Sequence, residues 1–238
     1  PPAGGDFRVP IGLEQERLSV VWHDFSESPH LVVVGDTESG KTNLLRLVAK
    51  AITERYTPAE ARIMLVDYRR DLVEAVPEEY RLGHAVSLGA LKDLLDGAAR
   101  AVQTRVPGPE IAPGRMKQAD WWSGPRLFIL VDDYDMLGAG IGNSPFDPLL
   151  NHLAMGWEVG MHIIVTRSAA GAGRGLNEML MRRLLEVNTP ALLLSCPPSE
   201  GILLGNIKGR NMNPGRAIRV ARRKATQVQT AMMDDPDA

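Results

Sequence analysis

Cysteine is almost missing. Cys196 stands alone among 238 residues, which excludes a disulfide framework and a cysteine-ligated zinc site. Its setting, "LLLSCPP", reads as a buried small apolar residue. The five histidines are scattered, with no metal-ligand spacing. No apolar run approaches the roughly 20 residues that a membrane-spanning helix needs, and no signal peptide is legible. An excess of charge is missing too. Basic residues number 27 and acidic residues 29, for a formal net charge of -2. That balance gives no support to a broad nucleic-acid surface, though a local basic ring stays open. There is no internal repeat and no low-complexity tract. The chain opens on "PPAGG" without a methionine. We therefore expect a fragment of something longer, with any membrane link in missing sequence or in a partner subunit.

What is present is apolar substance: 44% of residues are hydrophobic, enough for a sizeable core. Residues 1–30 form a polar lead-in punctuated by Pro and Gly, with "LSVVW" at 18–22 as a candidate strand. "HLVVVG" (30–35) is a continuous apolar run suited to a strand buried on both faces. Leu44, Leu45, Leu47, Val48, Ala51 and Ile52 then recur at helical spacing. The alternation continues with strands at 61–68 and 84–87, a helix at 88–105 and a Pro/Gly-rich loop at 106–125. It goes on through a strand at "RLFILVDD", a helix at "PLLNHLAMGWEV", a strand at "MHIIVTR", a helix at "LNEMLMRRLLEV" and a strand at "ALLLS". "RAIRVA" and "TQVQTAM" close the series as strands, before an acidic end, "DDPDA". Strands alternating with helices predict an α/β fold with a mostly parallel sheet flanked by helices on both faces. We expect one domain over 1–238: the lead-in to 30, a core over 31–220, and a final strand with acidic tail over 221–238.

"GDTESGKT" fits G-x-x-x-x-G-K-[ST] at Gly35, Gly40, Lys41 and Thr42. A buried strand precedes it and a helix follows, which is the setting the pattern needs. Residues Gly35, Asp36, Thr37, Glu38, Ser39, Gly40, Lys41, Thr42 and Asn43 form the expected phosphate cradle and first helical turn. Backbone N–H groups and the positive helix end would face the phosphates. Lys41 would reach the β- and γ-phosphates, and Thr42 would ligate Mg²⁺. In "LFILVDD", five apolar residues lead to Asp132 at a strand's carboxyl end, where ligands of open α/β sheets bind. Asp132 is the candidate to hold Mg²⁺, partly through water. Asp133 sits where a catalytic base, usually glutamate, would orient the attacking water. It is one methylene shorter, and a misplacement of about 1 Å can cost about 10²-fold in rate. The alternative for Asp133 is a carboxylate that caps the next turn.

Thr166 and Arg167 end another strand. If that strand lies between the two motif strands, as in RecA-like ATPases, Thr166 would face the γ-phosphate as a polar sensor. Arg167 would act there or across a subunit boundary, or else be a solvated strand end. Pro214 and Gly215, in the turn "NPGRA", are candidates to pack near base and ribose. "VDYRRDL" (66–72) reads as a solvated strand end. Trp121 and Trp122 read as pins for the long loop, with base stacking as the alternative.

These residues together resemble a known family. "RVPIGLEQERLSVVWHDFSESPHLVVVGDTESGKTNLLR", "WWSGPRLFILVDDYDML", "LLLSCPPSEGILLG", "NPGRAIRV" and "VQTAMM" resemble an FtsK/SpoIIIE-type ATPase module of EccC, the motor of type VII (ESX) secretion. The likeness is greatest to its last, C-terminal module and runs over nearly the whole chain. It implies a RecA-like P-loop NTPase fold, ATP and Mg²⁺ as ligands, and neighbouring ATPase modules in the same motor. It also implies a cytoplasmic location beside a membrane complex, and docking of a small helical secreted substrate of the EsxB type by its C-terminal export signal. Modules after the first in this family are degenerate in their catalytic acid, and Asp133 fits that pattern. Hydrolysis is therefore expected to be weak or absent. The competing readings are a DNA-translocating motor of the same superfamily, which the near-neutral charge disfavours, and a pure docking platform with nucleotide as structural cofactor.

Overall fold

The computed structural model describes residues 7–116, 118–138 and 144–233. The acidic end 234–238 and the first six residues of the lead-in lie outside them. The elements run β1 (Arg8–Glu14), β2 (Val20–Asp24), β3 (Leu31–Gly35), α1 (Lys41–Arg55), β4 (Ala61–Val66), β5 (Arg81–Ala85), α2 (Leu88–Gln103), α3 (Pro113–Met116), β6 (Arg126–Val131), β7 (Met161–Ser168), α4 (Ala172–Gly175), α5 (Met179–Glu186), β8 (Ala191–Leu193), β9 (Arg216–Ala221) and β10 (Lys224–Thr230). All strands join one ten-stranded sheet in the order β2-β1-β10-β9-β8-β3-β7-β6-β4-β5. The run β8-β3-β7-β6-β4-β5 is parallel. The rest is antiparallel.

The continuous apolar runs have a direct cause. Side chains alternate faces along a strand, and both faces of the parallel section are covered. Val32 and Val34, Ile129 and Val131, and Ile163 and Val165 point into one core, against α2, α5 and a 3₁₀ helix. Leu31 and Val33, Phe128 and Leu130, and Ile164 point into the other, against α1. On α1 the buried set is Leu44, Leu45, Val48, Ala49 and Ile52, while Leu47 and Ala51 lie at its margin. No helix among the described residues is long and apolar enough to cross a membrane.

Three expectations need correction. The lead-in is not merely a lead-in: its residues build β1 and β2, and β1 pairs with β10, so the chain's two ends close one edge of the sheet. The segment expected as a helix over 148–159 is a 3₁₀ helix, Asp147–Met155, with Pro148 in its first turn. It stops there because Trp157 turns away to lie under the buried Arg126 guanidinium, 3.9 Å from ring centroid to Cζ, and its carbonyl accepts from Arg126 Nη1. The helix expected over 176–187 shortens to α5. The long loop 106–125 carries the short α3 and is pinned as expected. Trp121 and Trp122 donate their ring N–H groups to the Arg105 and Glu158 carbonyls, at 2.8 and 2.7 Å, and Arg105 stacks on Trp122. Cys196 is buried and burial pushes its thiol up to about 11, so it is an inert core residue.

Candidate nucleotide site

The parallel strands β3, β7, β6 and β4 all end at one edge of the sheet, and the loop from Gly35 to Gly40 rises there between β3 and α1. Gly40 adopts φ 107°, ψ 14° at the start of α1, a conformation that residues with a Cβ resist. No side chain caps this helix and no acidic residue lies in its first turn. The orphan N–H groups of the first turn, reinforced by the helix dipole, are thus left for an external anion. Glu38 is also left-handed, at φ 58°. Asp36 supports the loop from inside: its side chain accepts from Thr37 N–H at 2.9 Å, and its carbonyl accepts from Ser39 Oγ at 2.7 Å. The turn at Pro214 and Gly215 backs the cradle directly. Gly215 N–H donates to the Ser39 carbonyl at 3.0 Å, and Thr230 N–H donates to the Gly215 carbonyl at 2.8 Å.

Lys41 points along the loop rather than into solvent. Its Nζ donates to the Asp36 carbonyl at 3.1 Å and lies 3.5 Å from Asp133 Oδ1. Thr42 and Asp132 meet as the metal reading requires. Thr42 Oγ1 donates to Asp132 Oδ2 at 2.7 Å. Burial pushes the Asp132 carboxyl above its ordinary range. Hydrogen bonds from Thr166 and Thr42 oppose that shift, and the negative charges of Asp133 and Asp67 add to it. Among the described residues no group of three His, Cys, Asp or Glu side chains is placed to hold a cation. Thr42 and Asp132, joined by that hydrogen bond, are the residues that could hold a Mg²⁺ arriving with phosphates, an ion that keeps waters and takes one or two protein ligands. Such an ion would neutralise phosphate charge between them.

Strand β7 lies between β3 and β6, the condition set for Thr166. Its hydroxyl is wholly buried. It donates to Asp132 Oδ1 at 2.5 Å and accepts from Asp133 N–H at 2.9 Å. Thr166 thus ties the side chain of one acid to the backbone of the next. Arg167 is neither solvated nor offered to a neighbour. It is buried, with Nη1 donating to the Ser168 and Ala170 carbonyls and Nη2 paired with Glu178 at 3.3 Å. Gly175 makes room for it, because a Cβ there would overlap the guanidinium. Arg167 holds the 168–178 loop to the sheet, which is incompatible with a finger reaching across a subunit boundary from this conformation. Asn43 is also turned elsewhere. Its amide grips the chain after β10, donating to the Ala231 carbonyl and accepting from Met233 N–H, both at 2.8 Å.

Asp133 occupies left-handed backbone, φ 46° and ψ 61°, a region that Asp tolerates better than most residues. Besides Lys41, its carboxylate faces Arg69, whose Nε lies 3.5 Å from Oδ2. The sequence alone left Arg69 among solvated residues. The available signal was positional: β4 pairs with β6 in register, so the ends of the two strands are neighbours. Asp67, read as a solvated strand end, is buried and accepts from Leu72 N–H at 2.8 Å.

Comparison with known proteins bears on the family and the fold. The FtsK/SpoIIIE family model matches residues 4–90. The ESX secretion system protein EccC of Thermomonospora curvata is 41% identical over 225 residues, covering 94% of this chain and 17% of that protein. ESX-4 secretion system protein EccC4 of Mycobacterium tuberculosis is 37% identical over 210 residues, 88% of this chain and 17% of that protein. The chain thus spans about one sixth of these relatives, at 17% of each. Among solved structures, the cytoplasmic domain of the T. curvata type VII secretion ATPase EccC superposes with a TM-score of 0.89 at 39% identity, over 99% of this chain and 28% of that one. T. curvata EccC ATPases 2 and 3, in complex with a signal sequence peptide, superpose at 0.90 and 40% identity, over 96% of this chain and 41% of that one. This chain carries an FtsK/SpoIIIE domain of P-loop ATPase fold and is a homologue of the EccC proteins of ESX secretion systems.

Proposed function

We propose that this domain is an ATP-binding module of a type VII protein-secretion motor, working at the cytoplasmic face of the secretion complex. It binds Mg-ATP firmly and hydrolyses it weakly or not at all. One observation carries the binding half: an uncapped helix N-terminus behind a left-handed Gly40, with Lys41, Thr42 and Asp132 converging on it. Lys41 would hold the β- and γ-phosphates, and Thr42 with Asp132 would hold the ion. The weak-hydrolysis half is supported by Asp133. Its side chain is one methylene shorter than glutamate, its backbone is pinned by Thr166, and its carboxylate is engaged by two cations. A base so occupied is poorly placed to order a water. Bound nucleotide would then serve mainly to stabilise the folded module and its contacts with neighbouring modules, by mass action.

The second part of the proposal is docking of a small helical, EsxB-like export substrate by its C-terminal signal. Its support is the T. curvata EccC structure, which contains a signal sequence peptide and resembles this chain throughout. A nucleotide titration beside a steady-state turnover assay tests the first part. Lys41→Ala should abolish binding. Turnover above about 1 s⁻¹, at the low end of ordinary enzymes, would sink the weak-hydrolysis reading.

A further inference from the structure

The same Asp133 carboxylate is gripped from two sides. Lys41 Nζ stands 3.5 Å from one oxygen and Arg69 Nε 3.5 Å from the other. Neither contact is a hydrogen bond by geometry, and Asp133 Oδ1 has no hydrogen-bond partner. The three groups differ in freedom. Asp133 is held by its backbone, through Thr166 and the left-handed turn. Lys41 is confined to the loop, its side chain 9% exposed. Arg69 is 56% exposed, and among the described residues its Nε also lies 3.3 Å from the weak acceptor Met136 Sδ. The turn that bears Arg69 is not loose, however. Arg46 of α1 donates twice to the Asp71 carbonyl, at 3.0 and 3.3 Å, and Asp67 accepts from Leu72 N–H. An exposed guanidinium therefore hangs from a turn fastened to the helix that starts at Lys41.

An anion shared between a loop lysine and an arginine marks where those two cations can both reach. Lys41 is the phosphate-reaching residue of the cradle, so a terminal phosphate beside it comes next to the pinned Asp133 carboxylate. Two anions there need a cation between them, and Arg69 is already on that carboxylate. We propose that Arg69 is the residue of this chain that tells a nucleoside triphosphate from a diphosphate, because it stands on the carboxylate that a terminal phosphate would approach. Arg69 would shift from Asp133 alone to a bridge between Asp133 and the γ-phosphate. The turn 67–72 and α1 would then read the number of phosphates as one unit. This rests on the nucleotide-binding reading above but adds a specificity residue to it.

The test is a calorimetric titration of the folded domain with Mg-ADP and, separately, with a non-hydrolysable Mg-ATP analogue. Arg69→Ala should weaken the triphosphate roughly tenfold or more, the size of a charge-assisted contact, and leave ADP within about twofold. Arg69→Lys should recover part of the difference. Asp133→Asn should shift the ratio the other way, favouring the triphosphate. If Arg69→Ala changes both ligands equally, or neither, the discrimination role is overturned while nucleotide binding stands. If the unaltered domain binds neither ligand, both readings fall together. Arg69 is exposed and circular dichroism checks that its variants fold, so loss of binding is not confused with loss of structure.

Discussion

Lowering the pH from 7.5 to 5.5 should destabilise this domain through three buried histidines far from the nucleotide edge. His30 immediately precedes β3 and has both ring nitrogens in use. Nε2–H donates to the Leu153 carbonyl at 2.9 Å, and Nδ1 accepts from Ile163 N–H at 3.0 Å. A second proton would destroy the second bond. His162 stacks on Phe128, with centroids 4.5 Å apart, and donates to the Pro29 carbonyl. Its charged form is opposed by burial first and then by Arg126 and the other two histidines. His23 is buried beside Phe25, ring centroids 4.4 Å apart. Burial, then Arg219, lower it to about 3, against the smaller opposing pull of Asp24 and the Ser28 carbonyl. Burial lowers His30 to about 4. All three are therefore neutral in the folded protein at pH 5.5. The unfolded chain protonates each near 6.5. Stability is complete above that value and falls as pH drops through it, because the unfolded state binds more protons. At pH 5.5 each site contributes a loss of about 1.4 kcal/mol, so the three together cost roughly 4 kcal/mol at most. That is a large share of the 5–15 kcal/mol typical of a domain. Urea unfolding followed by tryptophan fluorescence reads it as a midpoint lower by roughly 1–2 M at pH 5.5. Exposed carboxylates add little there, since they titrate about a unit or more lower. His162→Gln should remove about a third of the pH increment whatever it does to stability itself. Equal midpoints at the two pH values would refute the argument.

Two further predictions concern the nucleotide edge. Asn43→Ala removes both hydrogen bonds to the segment after β10, at a local cost of about 1–3 kcal/mol. Amide exchange at Ala231–Met233 should accelerate roughly tenfold or more, and unchanged exchange would show that β10 alone holds this segment. Asp133→Glu adds the missing methylene. If short reach limits hydrolysis, steady-state turnover should rise at least tenfold, and no rise would shift the cause to the Lys41 and Arg69 contacts.

Much of the fold was legible because its signals are local. β3 is apolar throughout, and β6 over 127–131 and β7 over 163–165 carry continuous apolar runs, since both sheet faces are covered; the phosphate loop carries its own pattern in a strand-loop-helix setting. β1 escaped because Pro10 and Gly12 interrupt its alternation: Val9 and Ile11 are buried in step, but a register irregularity between Pro10 and Gly12 leaves Gly12 buried and Leu13 exposed against the expected period. The 3₁₀ helix at 147–155 has the apolar spacing of an ordinary helix; its hydrogen-bond pattern is set by packing rather than by residue type.

The misread residues are the ones whose role depends on partners distant in sequence. Asn43 meets a carbonyl 188 residues away, and the phosphate-loop pattern, which ends at Thr42, says nothing about where Asn43 turns. Arg167 reads as a solvated strand end until Glu178 and the missing Cβ of Gly175 supply a place to bury it. Asp133 shows the limit most clearly. Its identity suggested a shortened base, and that reading concerns reach alone. The fold adds occupancy: the carboxylate already serves Lys41 and Arg69, cations brought to it by α1 and β4. A longer side chain at the same position would change the reach without removing either cation. Turnover in Asp133→Glu and phosphate discrimination in Arg69→Ala therefore report on separate properties of one carboxylate, its reach and its occupancy.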